Sequence, residues 1–147
     1  MSKESSNHFD ESLASEEEDL IQEAIAQGKK INPKKVIFII RDPNGRIVWL
    51  EEGETEEEVK DKSKKPAGLK HILGRHALSF QDLGVERQDI PRFLKNLIQR
   101  GVIIRSRNGG VVYRNPSGAE KTPIEIVIGD NGYIVTAFPL RERKNRR

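Results

Sequence analysis

From Val102 to Pro139 the chain carries four β-rich runs, VIIRSR, GVVYRN, TPIEIVIG and YIVTAFP, parted by NGG, PSGAEK and DNG. Links this short and rich in turn residues join antiparallel neighbours, because a parallel pair needs a crossover of a dozen residues or more. The spacing therefore predicts a four-stranded antiparallel meander. Two helices precede it. One follows Pro66 on the spacing of Leu69, Ile72 and Leu73; the other is DIPRFLKNLIQRG, with Asp89 as cap, Pro91 in the first turn and Gly101 as stop. Apolar helix faces must be buried against such a sheet, so the class is α+β, with two tandem helices packed on the meander.

Upstream, KVIFIIRDPNGRIVWLEE predicts a β-hairpin, with Pro43 at the first corner of the turn and Gly45 where a permissive backbone is needed. Residues 53 to 65 are almost wholly polar and predict a solvated loop or a polar helix. In SEEEDLIQEAIAQG, Ser15 reads as an N-cap, Glu18 as its capping-box partner and Gly28 as the C-cap. Leu20, Ile21, Ala24 and Ile25 form a narrow apolar stripe on that short helix. Residues 1 to 14 predict disorder. The expected organisation is an acidic helical arm and linker over 1–31, an α+β domain over 32–142 and a basic tail over 143–147.

Charge is divided along the chain. Residues 1 to 27 hold eight acids against one lysine, while the whole chain is formally +3, so the remainder is strongly basic. A basic body attracts polyanions, nucleic acid first among them. Without cysteine there is no thiolate chemistry, no disulfide and no cysteine-type zinc site. No apolar run is long enough to span a membrane, and the N-terminus lacks the pattern of a secretory signal, so the expected location is cytoplasmic, with no membrane partner. Delivery by a specialised route or a phage particle is compatible with that pattern.

The densest chemistry lies in GLKHILGRH, Gly68 to His76. At 100° per helical residue, His71 and Arg75 lie within roughly 40° of one another, whereas His76 lies near Leu69 and Ile72. The two imidazoles are expected to look in different directions, His76 into the core or into the groove beside it. Metal ligation would need an i, i+4 pair and further ligands, and a serine nucleophile would need its elbow motif; neither is present. Imidazole with guanidinium and ammonium suits metal-free phosphodiester transfer in RNA, in which a base activates the 2′-OH, cations hold the phosphorane and an acid protonates the leaving 5′-oxygen.

GLKHILGRH, followed by a second helix and by strands ending in GYIVTAFP, resembles the Barnase, EndoU, colicin and RelE group of ribonucleases, the toxin domains of phage-encoded and polymorphic toxin proteins. The resemblance covers Ala67 to Leu140. It implies a helix pair on a four-stranded antiparallel sheet, no cofactor, and a site carried by Lys70, His71, Arg75 and His76 on the helix and Thr136 on the last strand. Arg114 and Tyr133 join from neighbouring strand positions, with Arg105 and Arg107 as further substrate contacts. The implied partners are RNA, tRNA among its forms, and a cognate immunity or antitoxin protein. Strict alternation places Ile134, Thr136 and Phe138 on the helix-facing side and Tyr133, Val135 and Ala137 on the other. No acid stands beside His71 as an evident general base. Two non-catalytic readings compete: a winged helix with IPRFLKNLIQRG as recognition helix and a basic wing, and an interaction or inhibitor module that uses the acidic arm.

Overall fold

The computed structural model describes residues 15–55, 57–61, 63, 65–107, 109–116 and 122–140. Helix α1 covers residues 15–26 and closes on Gly28, where the Lys29 N–H reaches back to the Ala24 carbonyl at 3.1 Å. Strands β1 (Val36–Arg41) and β2 (Ile47–Glu51) form the predicted antiparallel hairpin. Its turn is held by the Asp42 carboxylate, which accepts the N–H groups of Asn44 and Arg46, each at 2.9 Å.

Both faces of the hairpin are covered. Phe38, Ile40, Val48 and Leu50 face the main core, while Ile39, Ile47 and Trp49 face Ile21 and Ala24 of α1. A ribbon apolar on both sides has to be sandwiched, and the arm supplies the second layer. The predicted stripe is therefore divided: Ile21 and Ala24 are buried, Leu20 partly so, and Ile25 stays exposed. An Arg41–Glu23 ion pair and a bond from Lys29 Nζ to the Asn131 carbonyl (2.8 Å) add polar ties. Residue 31 thus separates segments by charge, since the arm's helix packs on the body. The disorder predicted for 1–14 and the tail at 143–147 lie outside the described residues.

The polar stretch after β2 is a loop with one capped turn. Thr55 N–H donates to Glu58 Oε1 at 3.1 Å and Glu58 N–H to Thr55 Oγ1 at 3.3 Å, a reciprocal cap. The loop returns through Gly53 and Gly68, whose backbones touch. A Cβ on Gly68 would lie 2.6 Å from Gly53 Cα, and Gly68 has a φ of 88°. From that point α2 (Leu69–Asp82) begins, followed by a 3-10 turn, Arg87–Asp89, and α3 (Ile90–Arg100). Asp89 stands at the N-cap of α3 as expected, but its side chain makes no capping bond.

Strands β3 (Ile103–Arg107), β4 (Gly110–Tyr113), β5 (Ile124–Ile128) and β6 (Ile134–Pro139) form the antiparallel sheet in the order β3-β4-β5-β6. Ile72 and Phe80 of α2, with Ile90, Leu94, Leu97 and Ile98 of α3, meet Ile124, Ile126, Ile128, Ile134 and Ala137 in one core. Each of the isoleucine, leucine and phenylalanine side chains among them, fully buried, contributes about 1.5–3 kcal/mol. The edge of β6 is covered in two steps. Trp49 N–H of β2 donates to the Gly132 carbonyl at 3.0 Å, and Gly68 N–H, at the start of α2, donates to the Val135 carbonyl at 3.0 Å.

Gly68 is therefore the hinge that fixes where α2 starts. Gly68→Ala forces a side chain into a left-handed backbone and against Gly53, a strain of roughly 1–3 kcal/mol before any displacement of the helix. Gly74→Ala, in the same helix with nothing within 4 Å of the added carbon, should gain about 0.5–1 kcal/mol. Thermal unfolding of the two variants is expected to move in opposite directions.

Candidate functional site

Helix α2 sends Leu69, Ile72, Leu73 and Phe80 toward the core, which turns Lys70, His71, Gly74 and Arg75 outward. These four, with Thr55 and Glu57 of the preceding loop, line a cleft of about 240 Å³. The expected proximity of His71 and Arg75 is thus a shared wall. Lys70 Nζ lies 3.3 Å from Glu58 Oε2. The Thr55 N–H, and then Lys70, hold the Glu58 carboxyl below the usual glutamate value.

His76 lies in the groove beside the core, one of its two expected directions, but nearer His71 than helical spacing alone gives. Its ring centre is 6.1 Å from that of His71, edge to face, and 5.3 Å from that of Phe138 on β6. Five helical positions would separate the two histidines by about 140°, but helical side chains lean toward the N-terminus and over the preceding turn. The lean brings His76 back toward His71. Burial, then the nearby His71 and Arg75, push the His76 imidazole below its ordinary pKa of 6.5.

Thr136 requires a second correction. Ile128 pairs with Ile134 and Val127 with Thr136, so β6 holds one extra residue, Val135, opposite β5. This bulge reverses the alternation beyond it. Ile134 and Ala137 are the core residues of β6, while Thr136 and Phe138 stand on the opposite, outer face of the sheet. That is the face His76 meets through Phe138. Thr136 Oγ1 is buried there and has no hydrogen-bond partner among the described residues.

The outer face also holds a residue that sequence reasoning missed. Ile124, Ile126 and Ile128 face the core, so Glu125 faces outward, paired in register with Phe138 on one side and Val112 on the other. It is 8% exposed. A carboxylate in the middle of the aliphatic run IEIVI was the available signal, because an acid is placed in a buried strand only where something compensates it.

The other expected residues lie elsewhere. Arg105 of β3, at the far edge of the sheet from α2, pairs with Val112 of β4, and Arg107 pairs with Gly110. Arg114 lines a groove beside α3 with Phe93, Leu97 and Pro116. Tyr133 packs edge-on against Trp49 and lines a polar cleft with Lys35 and Glu51, and burial raises its pKa. On α3, Lys95 and Gln99 share a cleft with Glu16, Glu17 and Asp19 of α1. A recognition helix would present that surface to phosphates, and here it faces carboxylates. Among the described residues no three His, Asp or Glu side chains are grouped to hold a metal ion, and no helix is long and apolar enough to cross a membrane.

No protein-family model matches the chain, and no curated protein is detectably similar to it.

The His76 geometry carries a pH forecast. A group with a lowered folded-state pKa binds fewer protons folded than unfolded, so its share of stability is present above pH 6.5 and is lost as pH falls toward the folded pKa. Chemical denaturation of His76→Phe should lack that part of the acid slope seen in the wild type, and the His76 ring signal should titrate below 6.5.

Proposed function

We propose that this chain is a metal-independent endoribonuclease of toxin-like role, cutting RNA by 2′-OH transesterification to leave a 2′,3′-cyclic phosphate. The observation that carries the reading is the cleft shared by Lys70, His71 and Arg75, with the His76 ring centre 6.1 Å from that of His71. The buried, unpartnered hydroxyl of Thr136 on the sheet face that His76 meets supports it, as does the resemblance of GLKHILGRH and GYIVTAFP to the Barnase, EndoU, colicin and RelE group.

In this mechanism His76, held neutral by burial and neighbouring positive charge, accepts the proton of the ribose 2′-OH. The 2′-oxygen attacks phosphorus, the bond to the 5′-oxygen breaks, and His71 as imidazolium gives that oxygen its proton. Arg75 and Lys70 stabilise the doubly charged equatorial oxygens, with the Thr136 O–H as a further donor. Glu125 orients the site through its outer-face neighbours and does not exchange the reacting proton. The substrate is cytoplasmic RNA, and a cognate immunity or antitoxin protein restrains the activity.

Purified protein incubated with total RNA in EDTA should produce fragments ending in 2′,3′-cyclic phosphate; RNA that stays intact at every enzyme concentration would refute the reading. In the same assay His71→Ala, still folded, should lose about 10²- to 10⁴-fold of rate. Thr136→Val should lose about 10²-fold, as expected for one transition-state donor, whereas Glu125→Gln should retain most of the activity.

A further inference from the structure

Strand β3 closes the sheet on the side away from α2, and among the described residues no strand pairs with its outer edge. The segment leading into it is unusually apolar for an open edge: Val102, Ile103 and Ile104 are 53%, 52% and 47% exposed. A register shift between Ile103 and Arg105 interrupts the regular alternation there. Directly alongside runs a groove of about 340 Å³, walled by Phe93, Leu97, Val102 and Pro116 and rimmed by Arg100 and Arg114. Natural sheets blunt their edges or pair them, and three consecutive exposed branched side chains do neither.

We propose that the β3 edge and this groove take an extended acidic segment of another protein, paired main chain to main chain along β3, with one large apolar side chain seated in the groove. Charge selects the occupant. Arg100, Arg105 and Arg114 are all exposed, and among the described residues none of the three is held in an ion pair. Acids on an added strand would answer Arg105 at cross-strand distance, and acids flanking the side chain seated in the groove would meet Arg100 and Arg114 on its rim. A second copy of this chain is disfavoured, because antiparallel self-pairing would set a strand carrying Arg105 and Arg107 against the same cations. Nucleic acid satisfies the arginines but leaves the free strand edge and the two isoleucines without partners. The groove volume falls in the range that holds a compact apolar group, roughly 300–1,000 Å³. This surface is separate from the α2 cleft, so the inference stands or falls independently of the nuclease reading.

The test uses a fluorescent peptide of alternating glutamate and valine ending in phenylalanine, titrated with the full chain. Saturable binding, with slowed amide exchange over residues 102–107, is the expected result. The double variant Arg100→Glu, Arg114→Glu should weaken it about tenfold or more, and Ile104→Lys should weaken it without altering the melting temperature. A matched peptide with lysine in place of glutamate should not bind. Equal binding of the lysine peptide, absence of binding by the glutamate peptide, or protection of 102–107 by an oligoribonucleotide instead, would each overturn the proposal.

Discussion

One hydrogen bond organises the functional half of this molecule: the Gly68 N–H to the carbonyl of Val135, 3.0 Å. Val135 is the extra residue of a bulge, opposite no residue of β5. Its carbonyl anchors the first turn of α2, so the position of the helix along the strand and the reversal of side-chain direction in the strand are set at one place. Without the bulge Thr136 would lie under the helix among the core isoleucines. With it, Thr136 and Phe138 stand on the outer face, and α2 carries His76 to Phe138. Gly53 and Gly68 permit this approach because neither has a side chain to keep the two backbones apart.

What the chain reveals before folding is what local chemistry decides. The hairpin about Asp42 to Gly45, the start and end of α3, the Gly28 cap and the four strands all follow from short-range rules, and each appears where its residues place it. The shared wall of His71 and Arg75 follows from helical geometry alone. What was illegible depends on contacts distant in sequence. Strict alternation misplaced Thr136 because the bulge answers to Gly68, more than sixty residues upstream. The narrow stripe of α1 gave no sign of its docking site, since that site is the second face of the hairpin. Glu125 was hidden among isoleucines, and only the sheet register aligns it with Phe138 and Val112.

Charge is partitioned in space as well as along the chain. The carboxylates of α1 approach Arg41 of β1 and Lys95 of α3, which leaves the cleft of Lys70, His71 and Arg75 on a separate surface. Among the described residues, helix α1 of the arm therefore neutralises the body locally and does not line the His71 cleft. Between them, burial and the cations of α2 keep His76 neutral, and a neutral imidazole beside a second imidazole is the arrangement that one proton acceptor and one proton donor require.

The central claim is that His71 and His76 address a single phosphodiester. It is tested most directly by following both imidazole ring signals by NMR while adding an oligoribonucleotide whose 2′-hydroxyls are methylated, so that it binds without being cut. The account predicts that both signals shift together, with one dissociation constant, and that Arg75→Ala weakens the two responses equally. An oligonucleotide that binds while leaving either ring signal unmoved would contradict it.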